Sequence, residues 1–209
     1  MQRFPKKKSF RKMNMDEQRL VSRIQQGDEM AFAEIVRSYK DKIVNYLWQL
    51  TGDYQQAVEL SQETFIRVYF KSRKYRPVAP FSSWVYAIAS NLAKTEMKKT
   101  RKMRTVPLDN VQQNIISKEN FSNAESNSDL AKELRKALDS LHPRYRIPVI
   151  LKDIEGFSQE EIAQILRKPL GTIKARISRG RNYLKRELAR SSVKIKFFEK
   201  RKKNEPGRV

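Results

Sequence analysis

Residues 157–188 read FSQEEIAQILRKPLGTIKARISRGRNYLKREL. The stretch opens as a small capped helix and ends as a rod studded with Lys and Arg. Ser158 is followed three residues later by Glu161. At that spacing a hydroxyl accepts the third amide of a helix, and the carboxylate returns to the amide of the cap. Phe157 and Ile162 flank the cap as a hydrophobic staple does. A helix therefore starts at Ser158 and buries Ile162, Ala163, Ile165 and Leu166. RKPLG (167–171) breaks it, and a second helix starts near Thr172.

On that second helix Ile173, Ile177, Gly180 and Leu184 form a narrow apolar stripe. Gly180 within it lets another helix approach closely. Thr172, Ala175, Arg176, Arg179 and Arg186 lie to one side, and Lys174, Arg181 and Lys185 to the other. A buried edge between two basic flanks suits a helix in the DNA major groove, one flank on bases and one on phosphates. Two short helices, a tight turn and a basic second helix make a helix-turn-helix pattern. Taken alone, the stretch also fits a basic surface helix on an ordinary helical domain.

The composition favours the nucleic-acid reading. The 209 residues hold 45 Lys and Arg against 23 Asp and Glu, a net charge of +22. Such an excess attracts polyanions. Gly is scarce, alternating β-branched runs are rare, and apolar residues recur at helical spacing, so the fold is expected to be all-α. The absence of Cys removes disulfides, cysteine nucleophiles and cysteine-ligated zinc, and fits a reducing, cytoplasmic setting. No apolar run follows the basic N-terminus, and none is long enough to span a bilayer.

The chain divides by composition. Residues 1–14 carry six Lys and Arg and no acid, a basic tail. Helical periodicity runs over 15–104. Residues 105–128 are rich in Asn, Ser and Gln with a net charge of −2, and read as a flexible linker. Helical sequence resumes over 129–190, and 191–209 form a second basic tail. Within the first block a helix carries Phe32, Ile35, Tyr39, Ile43, Tyr46, Leu47 and Leu50 on one face and breaks at TGD (51–53). A second covers about 54–71. A third, about 82–104, begins apolar and ends with six basic residues and one acid between Lys94 and Arg104.

Two blocks together resemble a known family. EGFSQEEIAQIL…PLGTIKARISRGRNYLK (155–185) is similar to the promoter-reading C-terminal domain of bacterial RNA polymerase sigma factors, most like the extracytoplasmic-function (ECF) class. AVELSQETFIRVY (57–69) followed by FSSWVYAIASNLAK (81–94) resembles the core-binding and melting segments of the same family, in the family's order. The resemblance covers about residues 18–188. It implies two small helical domains joined by a flexible linker that threads the polymerase channel. Its implied partners are promoter DNA, core polymerase through the largest subunit and the flap region, and an anti-sigma factor, with no cofactor and no membrane insertion.

The resemblance also assigns residues. Glu59, Gln62, Glu63 and Phe65 would dock on a coiled coil of the largest subunit, although Glu59 and Glu63 also fit a solvated helix face. Trp84, Tyr86 and Asn91 would contact the melted −10 element, with Tyr75 and Phe81 as alternatives for base contact. Lys94, Lys98, Lys99 and Arg101 would track phosphates, as basic side chains do along single strands. Trp84 sits in an apolar run, where a core role competes. The −35 element would be read by Thr172, Lys174, Arg176 and Arg179, with Ser158, Glu160 and Arg167 near phosphates. The chain departs from the family pattern at Glu59 (usually Asp), at Ala87 and Ser90 (often Arg) and at Thr95 (often Asp). Arg167 and Lys168 replace a common Gly and an apolar residue. A stand-alone helix-turn-helix regulator would need a sensing or dimerising domain, and no Gly-rich loop or phosphorylatable Asp in an α/β pattern marks one. An enzyme is disfavoured because His142 is the only His, stands beside Pro143 at a helix boundary, and no acid or His cluster accompanies it. A nonspecific packaging protein does not explain the ordered two-block layout.

Overall fold

The computed structural model describes residues 15–76, 79–105 and 129–190. The tails 1–14 and 191–209, and the expected linker beyond Thr105, lie outside the described residues. Among those residues there are eight helices and no strand. They are α1 (Met15–Gln25), α2 (Glu29–Thr51), α3 (Tyr54–Ser72), α4 (Phe81–Thr105), α5 (Asp129–Ser140), α6 (Pro143–Asp153), α7 (Gln159–Ile165) and α8 (Leu170–Arg190).

Short polar residues set the boundaries. Asp28 caps α2 by accepting the Ala31 amide at 3.0 Å. That bond, with Arg23 beside it, holds the Asp28 carboxyl below its ordinary range. The helix ends at Gly52, whose φ of 84° is open to glycine at little cost, and the Gly52 amide closes on the Trp48 carbonyl at 2.9 Å. Asp53 then caps α3 through the Gln56 amide. His142 caps α6, its Nδ1 accepting the Arg144 amide at 3.1 Å, with Pro143 at the first helical position. The sole histidine thus has a local structural job.

α1 packs on α2 and α3, and α4 closes the first half against α2 and α3. In the second half α8 packs on α5, α6 and α7. The two halves meet, with α4 lying against α7 and α2 against α6. One continuous core runs through both, from Ile35, Ile43, Tyr46 and Leu47 of α2 through Val85 and Ala89 of α4 to Ile150, Ile162 and Ile173.

The expected stripe on α8 is the buried one. Ile173, Ile177, Gly180 and Leu184 face inward, and Leu188 extends the stripe by one turn. A Cβ on Gly180 would come within 2.6 Å of Val149 Cγ2, so the missing side chain sets the α6–α8 distance. A Cβ on Gly171 would meet open space. Gly180→Val is expected to lose about 1–3 kcal/mol in urea unfolding, because an overpacked contact forces backbone shifts. Gly171→Ala should leave stability within about 0.5 kcal/mol or raise it.

Candidate nucleic-acid and protein interfaces

The capping box forms as its spacing requires. Ser158 Oγ accepts the Glu161 amide at 3.1 Å, and the Ser158 amide donates to Glu161 Oε2 at 2.7 Å. Phe157 and Ile162 are both buried beneath it. Ser158 is therefore occupied as a cap. Glu160 is exposed on the first turn of α7.

The turn after α7 is a Schellman motif. The Lys168 amide donates to the Ala163 carbonyl at 3.0 Å and the Arg167 amide to Gln164 at 3.2 Å. The residue in the left-handed position is Arg167, φ 49°, among the described residues the only one other than glycine with positive φ. A side chain there costs roughly 1–2 kcal/mol relative to glycine. Both Arg167 and Lys168 are exposed, so the turn presents two positive charges beside α8.

On α8, Lys174 and Arg179 are exposed, and Thr172 and Arg176 are half-buried. The outward face is basic, as expected. Arg181 is not free to track phosphate. Its guanidinium grips Asp153 of α6 with two hydrogen bonds, Nε to Oδ2 at 2.9 Å and Nη2 to Oδ1. That pairing holds the Arg181 proton more firmly than usual.

The aromatic candidates around the start of α4 divide. Tyr75 and Phe81 are core residues, correcting their placement as base contacts. Their rings lie 5.5 Å apart at right angles, and Phe81 also packs on Tyr39. The Tyr75 hydroxyl donates to the Ala79 carbonyl at 2.7 Å, and burial together with the Glu17 charge pushes its pKa up to about 12. The physical reason is local. The segment between α3 and α4 is short, so Tyr75 tucks against Phe81, the first residue of α4, and Gln25 Nε2 bonds the Ser72 and Tyr75 carbonyls. Trp84 covers this cluster, 4.9 Å from Tyr75 and 5.5 Å from Phe81, and remains half-exposed. Packing and base contact are thus compatible for Trp84.

Tyr86 is only 4% exposed. Its ring packs on Phe157 at 4.9 Å and its hydroxyl donates to Glu155 Oε2 at 2.5 Å. Burial first, then the Glu155 carboxylate, raises its pKa far above that of an ordinary tyrosine. In this conformation Tyr86 faces the second half of the chain, not solvent, which corrects its expected exposure. Asn91, Lys94, Lys98 and Lys99 are all exposed, and Asn91, Lys94 and Lys98 share one face of α4. The Arg101 side chain lies outside the described residues.

On α3, Glu59, Gln62 and Glu63 reach the surface, with Glu63 paired to Arg67 at 2.6 Å. Phe65 does not. It is 7% exposed and packs inward with Ala57, Thr64 and Val68, a correction to its docking role. The apolar residues on the outer face are Ile66 and Phe70, the latter 75% exposed, neither singled out from the sequence. At 100° per residue, positions 59, 62, 63, 66 and 70 fall within an arc of about 100°. The signal was present as an i, i+3, i+4, i+7 series, but Phe65 and Val68 offered a competing apolar face one step round the helix.

Residues 35–103 match the family model described as Sigma-70 region 2, and residues 131–184 match Sigma-70, region 4. The ECF RNA polymerase sigma factor SigW of Bacillus subtilis is 32% identical over 184 residues, covering 84% of this chain and 98% of the relative. The chain belongs to the ECF sigma factors. The ECF RNA polymerase sigma factor SigE of Mycolicibacterium smegmatis is 36% identical over 170 residues, covering 79% of this sigma factor and 66% of the relative. The sigma factor RpoE of Bartonella quintana, solved with the anti-sigma factor NepR, has a TM-score of 0.61 at 25% identity, covering 77% of this chain and 98% of that one. As a sigma factor, the protein binds core RNA polymerase and promoter DNA and directs initiation to specific promoters. No helix among the described residues is long and apolar enough to cross a membrane.

The strained turn generates a two-sided test. Arg167→Gly should raise stability by up to about 1 kcal/mol in urea unfolding, since glycine adopts the left-handed conformation without the Cβ cost. The same change should weaken DNA binding and lower its salt slope by about one, if Arg167 meets a phosphate. Unchanged DNA affinity would remove Arg167 from the interface.

Proposed function

We propose how the established activity is divided over these surfaces. The outer stripe of α3 (Glu59, Gln62, Glu63, Ile66, Phe70) docks on the largest subunit of core polymerase. The exposed lysines of α4, with Asn91 and Trp84, hold the melted −10 strand. α8 reads the −35 element through Thr172, Lys174, Arg176 and Arg179, with Arg167 and Lys168 on phosphates. On this reading residues 15–104 act as the core-binding and melting unit and 129–190 as the −35 unit, which also meets the flap region. The stretch 105–128, rich in Asn, Ser and Gln, joins the two units. Both basic tails add charge for DNA. The sigma factor does no chemistry itself, and it works in the cytoplasm, where polymerase and promoters are.

The observation that carries the assignment is the α3 stripe. Exposed large apolar side chains beside carboxylates mark a protein-binding surface, not one for DNA. Polymerase docking therefore falls on α3, and DNA contact falls on the lysine-rich face of α4 and the basic flanks of α8. NepR is the anti-sigma partner of the Bartonella protein. A protein of that kind is the regulator proposed for this chain.

Run-off transcription with bacterial core polymerase tests the reading, using a promoter recovered by selection of random duplexes on the holoenzyme. A promoter-specific transcript is expected only when core and this protein are both present. Tight, specific binding by the protein alone with no such transcript would favour a stand-alone regulator. Phe70→Ala is expected to weaken binding to core by at least about 1 kcal/mol in a competition assay while leaving the thermal transition unchanged. Arg176→Ala should cost about 1–3 kcal/mol and relax specificity at one −35 position, whereas Lys185→Ala should weaken binding evenly over sequences. Equal losses over all sequences for both would remove Arg176 from the reading face.

A further inference from the structure

A cleft of about 680 Å³ opens on the outer side of the second half, between the start of α6 and the C-terminal part of α8. It is lined by Tyr145, Arg179, Asn182, Tyr183, Lys185 and Arg186. At 100° per residue, positions 179, 182 and 186 fall within about 60° of one another, so they form one ridge along α8. Gly180 brings α6 against that helix, since a Cβ there would stand 3.4 Å from Tyr145 Cβ. The Tyr183 hydroxyl donates to Ser140 Oγ at 3.2 Å, which ties its ring to α5. Both tyrosines are half-buried, and Arg144 lies over the Tyr145 ring, 4.6 Å from its centre.

The positive charge in this cleft is uncommitted. Arg181 and Arg190 of the same helix pair with Asp153 and Glu187, whereas Arg179, Lys185 and Arg186 form no ion pair among the described residues. No acidic side chain is among the described residues lining the cleft. Three unpaired cations within about two helical turns can meet several phosphate oxygens at once. Half-buried tyrosine rings take an aromatic base, and the Asn182 amide offers a donor and an acceptor to a base edge. A cleft of this size suits a small molecule. Duplex DNA presents phosphates along its ridges but keeps its bases stacked inside, which leaves the tyrosine rings without a stacking partner.

We propose that this cleft is a binding site for a nucleoside polyphosphate, its base against Tyr145 and Tyr183 and its phosphates on Arg179, Lys185 and Arg186. The site itself does not rest on the promoter assignments. Its consequence for DNA rests on the proposed reading of α8. Arg179 also belongs to the −35 face of that reading, so a bound nucleotide takes away one promoter contact and adds negative charge beside the others. Nucleotide and −35 duplex therefore compete.

Equilibrium dialysis of the full chain against labelled ATP and GTP tests the site, at about 0.15 M salt, where exposed charges are screened. Saturable binding of one nucleotide per chain is expected. Tripolyphosphate should bind at least about fivefold more weakly, because it gives the tyrosines nothing to stack on. Lys185→Ala with Arg186→Ala should weaken nucleotide binding at least about tenfold, with helical circular dichroism unchanged. Arg167→Ala with Lys174→Ala removes the same charge outside the cleft and should change it less than about threefold. Tyr183→Leu should lower the affinity for nucleotide but not for tripolyphosphate. No saturable binding, tripolyphosphate binding as tight as ATP, or equal losses from the two cation pairs would overturn the site. Titration of a −35 duplex with and without nucleotide checks the competition. Nucleotide binding with unchanged −35 affinity keeps the site and counts against Arg179 as a −35 contact. Absence of a promoter-specific run-off transcript defeats the functional reading beneath the competition and leaves the dialysis result standing.

Discussion

The carbonyls at the end of α2 are the point on which the arrangement of the molecule turns. They close the first half of the chain, and a helix C-terminus left bare in a packed interface is costly. Arg146 meets the Leu50 carbonyl from the second half and from a nearly fully buried position, and Arg135 adds a second bond to the Trp48 carbonyl, which the Gly52 amide also closes. A buried guanidinium is stable only when its donors are used. Arg146 donates to the Leu50, Leu141 and Asp139 carbonyls, so it is held by both halves together. α4 lies against α7 and α2 against α6 beside these bonds.

Charge and burial explain how one small chain serves two kinds of partner. A net charge of +22 attracts the protein to polyanions in general, which gives attraction without address. Address comes from where the charge is concentrated. On α8 the basic residues flank a buried apolar stripe, and the Arg181–Asp153 pair ties that helix to α6. On α3 the outer face carries carboxylates, Ile66 and Phe70 instead, with the Glu63–Arg67 pair neutralising part of it. On the proposed reading, a protein partner and a nucleic acid are thereby kept to different helices.

Much of the fold was legible residue by residue. Ser158 and Glu161 specify a capping box by spacing alone, and the structure contains both of its bonds. The stripe from Ile173 to Leu184, with a glycine where α6 approaches, was equally plain. The site was less so. α3 carries apolar residues on two adjacent faces, and only tertiary packing decides that Phe65 goes in and Phe70 stays out. Tyr75 and Phe81 flank a stretch rich in basic residues and prolines, yet Phe81 opens α4 and both rings pack into the core. The inter-half contacts had no sequence signature. Arg135 and Arg146 look like ordinary surface positions of amphipathic helices, and their partners are backbone carbonyls, which residue identity does not mark.

The central claim is the proposed division of labour, in which the two halves of the chain read two separate promoter elements once core polymerase is bound. Chemical footprinting of the holoenzyme on a selected promoter tests this most directly, with permanganate reporting unpaired thymines. The account predicts two protected blocks separated by about two turns of helix, with permanganate reactivity confined to the downstream block and dependent on core polymerase. A single protected block, or the same pattern from the protein without polymerase, would contradict it.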